Sequence, residues 1–186
     1  ALLMASRTDA IIDAIELDIN SSKEADTNFK NSEFSGRLNI IQGDFMEYVQ
    51  KSAIKYELII SNPPFFSNDL KATTSGRNSA RHIDNLNYDN LCKGVVRLLT
   101  NNGRLCLVLP YVKENEFIIA ASKYELHLHK KLLIYPKPDM PPNRINMEFR
   151  LHSPTEVVID EITIRDDNNQ HTIQYKEMVK NYLVNI

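Results

Sequence analysis

The chain has 186 residues, 42% of them hydrophobic and 25% charged, with a formal net charge of −2, proportions that suit one α/β domain with a sizeable core. No apolar run approaches the roughly 20 residues that span a bilayer, residues 1–20 lack a signal-peptide pattern, and Cys92 and Cys106 stand apart with no CxxC, which argues against a disulfide framework or a cysteine zinc site. The expectation is a cytoplasmic protein.

Apolar runs alternate with helical patterns. Ala10–Ile15 reads as a short strand, Ile19–Phe34 as a surface helix, Leu38–Ile41 as a strand, Phe45–Lys51 as a short helix and Leu58–Ile60 as a buried strand. Residues 67–86 are polar, aperiodic and rich in Asn, Ser and Thr, the composition of a long functional loop or lid. Tyr88–Leu99 places Leu91, Val95, Leu98 and Leu99 on one helical face, Asn101-Asn102-Gly103 is read as its end, and Arg104–Leu109 as the next strand. A helix at Glu114–Tyr124, strands at Leu126–Tyr135 and Ile145–Leu151 around the bend Pro136–Pro142, a hairpin turning at Asp166–Asn169 and a helix at Lys176–Leu183 follow. With no internal repeat or linker, residues 1–186 read as a single domain. Strands alternating with helices predict a doubly wound, mostly parallel sheet, and the two late strands joined without a helix predict an antiparallel pair at one edge. Such a sheet binds ligands at the carboxyl ends of its strands.

The net charge conceals an asymmetry: residues 1–70 carry 6 Lys+Arg against 11 Asp+Glu, residues 71–150 carry 13 against 7, and residues 151–186 carry 3 against 6. A basic middle favours a polyanionic substrate, although cations clustered in sequence need not cluster in space.

Three strand ends carry residues suited to a nucleoside. The first runs into Glu16-Leu17-Asp18. A carboxylate there can accept both hydroxyls of a ribose; the alternative is a solvated acid or a helix N-cap, a description that fits Asp18. The second runs into Gly43-Asp44-Phe45, where the acid can accept from an exocyclic amine while the ring stacks on a purine, or can simply cap a helix. The third runs into Asn62-Pro63-Pro64-Phe65. Pro64 holds Pro63, and Pro63 holds Asn62, in extended geometry. Neither proline has an N–H, so the turn offers carbonyl acceptors without competing donors. The Asn62 amide oxygen and the Pro63 carbonyl can each accept one hydrogen of an –NH2 group. Held out of the ring plane, they favour a tetrahedral nitrogen and aim its lone pair. Phe65 offers a face for a flat substrate.

Asn62-Pro63-Pro64-Phe65 resembles motif IV of class I S-adenosylmethionine-dependent amino-methyltransferases, and Glu16, Asp44-Phe45 and Asn62–Phe65 resemble that family's set in order and separation. Arg77-Asn78-Ser79-Ala80-Arg81-His82, Leu91, Leu98-Leu99 and Gly103-Arg104-Leu105 resemble more narrowly the bacterial tRNA1(Val) adenine-N6 methyltransferase family, a likeness running from residue 1 to about 152. The resemblance implies a Rossmann-like class I methyltransferase sheet and S-adenosylmethionine as methyl donor. Its substrate would be tRNA, at the adenosine 3′ of the anticodon. It also implies that Glu16 binds the cofactor ribose, Asp44 the adenine amine and Phe45 the adenine face, with Asn62 counted among the cofactor-binding residues. Asn62, Pro63, Pro64 and Phe65 form the catalytic motif. By the same resemblance Phe65 would stack the target base. Arg77, Arg81 and His82 can contact RNA phosphate or belong to a solvated loop.

Two departures accompany it. Phe65 stands where relatives often have Tyr. No GxG occurs among the five glycines, and Ala1–Arg7 looks like the helix after a glycine-rich cofactor loop, so the first strand of the sheet is expected to precede residue 1. Guanine-N2 methyltransferases of rRNA and glutamine-N5 methyltransferases share an NPP-aromatic motif, and a scaffold that binds RNA without catalysis lies in another class. His127 and His129 alternate on a strand without an evident third ligand, so no metal is expected. The segment Pro136–Arg144 can contact substrate or simply connect two strands.

Overall fold

The computed structural model describes residues 1–63 and 87–182, and the chain divides into two compact units, Ala1–Ser52 and Ala53–Ile186. In the first, helix α1 (Leu2–Ala5) precedes strand β1 (Ile12–Glu16), helix α2 (Ile19–Lys30), strand β2 (Leu38–Gln42) and helix α3 (Phe45–Lys51). β1 and β2 pair in parallel from Ile12↔Leu38 to Glu16↔Gln42, and a parallel pair requires a crossover, which α2 supplies. Ala5, Phe29 and Leu38 form the core, with Leu2, Ile12, Ala14, Phe34 and Ile40 packed on it. The Arg37 guanidinium donates to the carbonyls of Ala5, Thr8 and Ala10 and lies 4.9 Å from the Phe34 ring centroid. Those bonds tie residues 5–10 to the start of β2.

α2 stops at Lys30 rather than Phe34. The Ser32 hydroxyl donates to the Phe29 carbonyl and accepts from the Phe34 N–H, diverting the chain into a short 3-10 turn at Ser35–Arg37. Side-chain bonds of this kind compete with helix continuation.

The second unit holds strand β3 (Tyr56–Ser61), helix α4 (Tyr88–Leu98), strand β4 (Leu99–Pro110), helix α5 (Glu114–Ser122), strands β5 (His127–Tyr135), β6 (Arg144–Arg150) and β7 (Val158–Thr163), and helix α6 (Ile173–Val179). The five strands lie in the order β3-β4-β6-β5-β7. Alternate residues of β4 (Leu105, Leu107, Leu109) and β6 (Ile145, Met147, Phe149) are buried, the period-2 pattern of a covered sheet face. Phe117 of α5 packs between Tyr88 of α4 (5.1 Å between centroids) and Phe149 of β6 (5.3 Å). Leu91, Val95 and Leu98 of α4 are buried as their spacing predicts. The Lys131–Glu114 ion pair, 2.8 Å and mostly buried, joins β5 to α5.

Three further expectations are corrected. Asn101-Asn102-Gly103 does not form a turn between α4 and a later strand: β4 begins at Leu99, directly after the helix. Tyr56 pairs with Leu99 and Leu58 with Arg104, so Thr100–Gly103 form a bulge opposite Glu57. A Cβ on Gly103 would stand 2.8 Å from the Tyr56 carbonyl oxygen, and a glycine avoids that clash. The antiparallel strand is also not at the edge. β6 runs antiparallel to both β4 and β5 and lies between them, because β7 adds in parallel outside β5. The last helix begins at Ile173, capped by the Thr172 hydroxyl accepting from the Tyr175 N–H. The turn at Asp166–Asn169 closes a minimal hairpin through the Arg165↔His171 bridge, with Asn169 at φ 63°.

Candidate active site

In the first unit, β1 and β2 end side by side at Glu16 and Gln42. The Gly43 N–H donates to the Glu16 carbonyl at 2.9 Å, from a backbone with φ +154° that side chains rarely tolerate. The next residue, Asp44, is thereby set at the start of α3, where its Oδ1 accepts from the N–H groups of Met46 (2.8 Å) and Glu47 (3.1 Å). Oδ2 has no partner among the described residues. Glu16 is arranged alike: Oε1 accepts from the Asp18 N–H at 2.9 Å, and Oε2 is without a partner among the described residues. Phe45, half-buried, opens α3 beside the cap.

The two readings of Asp44 are therefore compatible, since capping consumes one oxygen and leaves the other. Asp18 is the N-cap of α2: its Oδ1 accepts from Asn20 and Ser21, and the Ser21 hydrogen bonds lead the contributions that hold its carboxyl below the usual range. The unit thus offers two hydrogen-bond-accepting carboxylate oxygens and an apolar ring at adjacent strand ends. Hydroxyl hydrogens, an amine and a flat face, as a nucleoside carries, match it.

In the second unit, β3 runs parallel to β4 up to Ser61↔Leu107. The chain then leaves the strand at Asn62, which is exposed, and Pro63, which is buried. The Asn62 side chain has no partner among the described residues. Pro64, Phe65, Arg77, Arg81 and His82, and the loop expected at 67–86, lie outside the described residues. Thus Glu16, Asp44 and Phe45 share one unit, and Asn62 and Pro63 belong to the other.

Sequence reading missed the exit of β4. Pro110-Tyr111-Val112-Lys113 leaves a strand on the same side of the sheet as Asn62, and Val112 is 84% exposed. The strand-end rule used for Asn62 would have found it. The Tyr135 hydroxyl, at the end of β5, donates to Glu161 at 3.3 Å; desolvation, Glu161 and Tyr111 together raise its pKa.

The basic middle is partly neutralised. Lys113 pairs with Glu116, Lys123 with Asp89, Lys131 with Glu114, and Arg104 and Arg150 share Glu148. Lys93, Lys130 and Lys137 have no acidic partner among the described residues. His129 bonds the His152 carbonyl and His127 the Ser153 hydroxyl, and no group of three or more metal-ligating side chains is found among the described residues. Burial pushes the Cys92 thiol up to about 12 and also raises Cys106, which removes both as thiolate nucleophiles at neutral pH. Among the described residues no helix is long and apolar enough to cross a membrane.

Residues 1–130 match the family model of the methyltransferase small domain. A tRNA1(Val) (adenine(37)-N6)-methyltransferase of Parabacteroides distasonis is 31% identical over 98% of this chain and 77% of its own length. One from Christiangramia forsetii is 33% identical over 100% and 78%, and one from Bacteroides fragilis 39% identical over 80% and 63%. A solved structure described as a predicted O-methyltransferase, Atu636 of Agrobacterium tumefaciens, superposes with TM-score 0.72 at 14% identity, covering 100% of this chain and 86% of that one. Geranyl diphosphate C-methyltransferase from Streptomyces coelicolor A3(2), solved with S-adenosyl-L-homocysteine, gives TM-score 0.57 at 8% identity over 81% and 67%. These two likenesses establish the class I methyltransferase fold.

Proposed function

The chain belongs to the methyltransferase small domain family and, within it, to the tRNA1(Val) adenine-N6 methyltransferases, and we propose from that premise that it methylates the N6 amine of the adenosine 3′ of a tRNA anticodon. The observation that carries the reading is Asn62, an exposed amide without a partner among the described residues, followed by a buried proline at the end of β3. When bound, S-adenosylmethionine supplies an electrophilic methyl carbon. Glu16 would accept the hydroxyls of its ribose, Asp44 would accept from its adenine amine, and Phe45 would cover its adenine face.

The adenine amine is a weak nucleophile because its lone pair is delocalised into the ring. The Asn62 amide oxygen and the Pro63 carbonyl accept its two hydrogens and turn the lone pair out of the ring plane, an arrangement that is worth more in the transition state than in the ground state. No strong base is required, since the proton leaves after nitrogen has become cationic. Pro64 stiffens the turn, Phe65 stacks the extruded base, and Arg77, Arg81 and His82 contact the phosphates around it. Residues 1–186 serve this activity as one methyltransferase domain working in the cytoplasm.

The test is methylation of total tRNA and total rRNA by the full-length protein, followed by mass spectrometry of the nucleosides. N6-methyladenosine confined to tRNA is the expected product. N2-methylguanosine in rRNA, or no methylated RNA at all, overturns the reading.

A further inference from the structure

We propose that the turn after β4 and the proline-rich bend between β5 and β6 form a rigid shelf that receives the nucleotides flanking the target base; this rests on the RNA-methyltransferase reading. Position is the first reason. β4 runs parallel to β3, and β6 is antiparallel to both β4 and β5, so β3, β4 and β5 all end on one side of the sheet. Ser61 is level with Leu107, and β4 continues only to Pro110. Tyr111, Val112 and the bend therefore border the end from which Asn62 emerges.

The bend is also laced in place. Tyr111 N–H donates to the Asn143 carbonyl (3.1 Å), Asn143 N–H to the Ile134 carbonyl (3.0 Å), Met140 N–H to the Lys137 carbonyl (3.2 Å) and Arg165 N–H to the Pro136 carbonyl (3.2 Å). Pro136, Pro138, Pro141 and Pro142 fix their own φ angles and restrict the residues before them. Little conformational entropy remains to be lost when a ligand docks.

What the shelf displays is unlike an ordinary turn. Val112 is 84% and Met140 50% exposed, and Pro138 and Pro141, on either side of Met140 in the chain, are exposed as well. Lys137 has no acidic partner among the described residues, and Asp139 is the one acid between Tyr135 and Arg144. Apolar surface with a cation suits single-stranded RNA, whose bases offer flat apolar faces and whose backbone offers phosphate. Val112 and Met140 take the base, and Lys137 takes the phosphate.

The experiment measures affinity of the full-length protein for a tRNA anticodon stem-loop at several salt concentrations, together with S-adenosylmethionine affinity, melting temperature and single-turnover methylation at saturating RNA. Lys137→Ala is expected to weaken RNA binding severalfold and to reduce the log–log salt slope by about 0.7, with Lys137→Arg restoring both. The double variant Val112→Ser, Met140→Ser is expected to weaken RNA binding about tenfold, equivalent to ~1.4 kcal/mol, without altering the slope. Cofactor affinity, melting temperature and the rate at saturating RNA stay as in the parent. A parent protein that methylates the stem-loop, with RNA affinity unchanged in all these variants, overturns the shelf alone. A parent that neither binds nor methylates the stem-loop overturns both the shelf and the activity it rests on.

Discussion

The strand ends of the first unit are acidic and half engaged, whereas those of the second are uncharged where the chain leaves β3 and apolar with a cation where it leaves β4 and β5. Glu16 and Asp44 each hold one oxygen on a backbone N–H and keep the other without a partner among the described residues. Their own fold thus orients them before any ligand arrives. Asn62 has no such anchor among the described residues, and Pro63 restricts its backbone direction. A charged, pre-oriented acceptor suits a ligand that must be held throughout the cycle. A neutral acceptor suits an amine gripped most tightly as it reacts. On the proposed activity, damage in the first unit should appear as lost cofactor affinity, and damage at Asn62 as lost rate.

The largest expected effect tests the second half of that contrast. Asn62→Ala should lower single-turnover methylation at saturating cofactor and RNA by at least about 100-fold, since about 2.7 kcal/mol of transition-state stabilisation corresponds to that factor. S-adenosylmethionine affinity should remain near that of the parent. A rate within a few-fold of the parent removes Asn62 from the mechanism. Weakened cofactor binding with an intact rate would move it into the cofactor group.

Next come the two carboxylates, read by calorimetry with S-adenosylmethionine. Glu16→Ala removes two charge-assisted bonds to a diol, each worth roughly 1.5–3 kcal/mol, and should weaken binding by about 100-fold or more. For Asp44 the helix cap requires a different choice. Alanine would cost about 1 kcal/mol of stability by itself, while Asn still caps. Asp44→Asn keeps the bonds to Met46 and Glu47 and turns the other oxygen into a donor that faces the adenine amine. About tenfold weaker binding at an unchanged melting temperature is the expected pair of results. Unaltered affinity in both variants, with the fold intact, places the cofactor elsewhere.

The strand ends that carry these residues were legible because each closes an apolar run, and local chemistry marks such ends. Asp44 and the helix after it could be read to the residue, as the observed Phe45–Lys51 demonstrates. Asn101-Asn102-Gly103 misled for the same reason. Its composition is that of a turn, and only the carbonyl of Tyr56, 2.8 Å from where a Gly103 Cβ would stand, reveals a bulge. The internal position of β6 depended on β7 pairing in parallel with β5, a long-range choice with no local signature. The partial neutralisation of the basic middle was equally hidden, because Lys131 finds Glu114 and Lys123 finds Asp89 through packing rather than through neighbouring sequence. The exposed Val112 stands beside a strand end, but nothing in its own residue type announces that it is uncovered.

The smallest expected effect sharpens the contrast within the first unit, between acids that bind a ligand and an acid that only holds a helix. Asp18→Ala should leave cofactor affinity and rate within about twofold of the parent, because the backbone N–H that Glu16 accepts survives the substitution. It should lower the melting temperature by about 2–4 °C at pH 7, through loss of the α2 cap. The hydrogen bonds from Ser21 and Asn20 depress the folded-state pKa of Asp18 below its ordinary value of 3.8. Its stabilisation is therefore present above pH 3.8 and is lost as pH falls through the lower folded value. Melting curves of parent and variant should converge as pH drops below 3.8 and stand furthest apart near neutrality. A gap that persists unchanged into acid would mean that the aspartate charge contributes nothing to the cap. A variant that loses cofactor affinity at pH 7 without losing stability would make Asp18, rather than Glu16, the ligand at the end of β1.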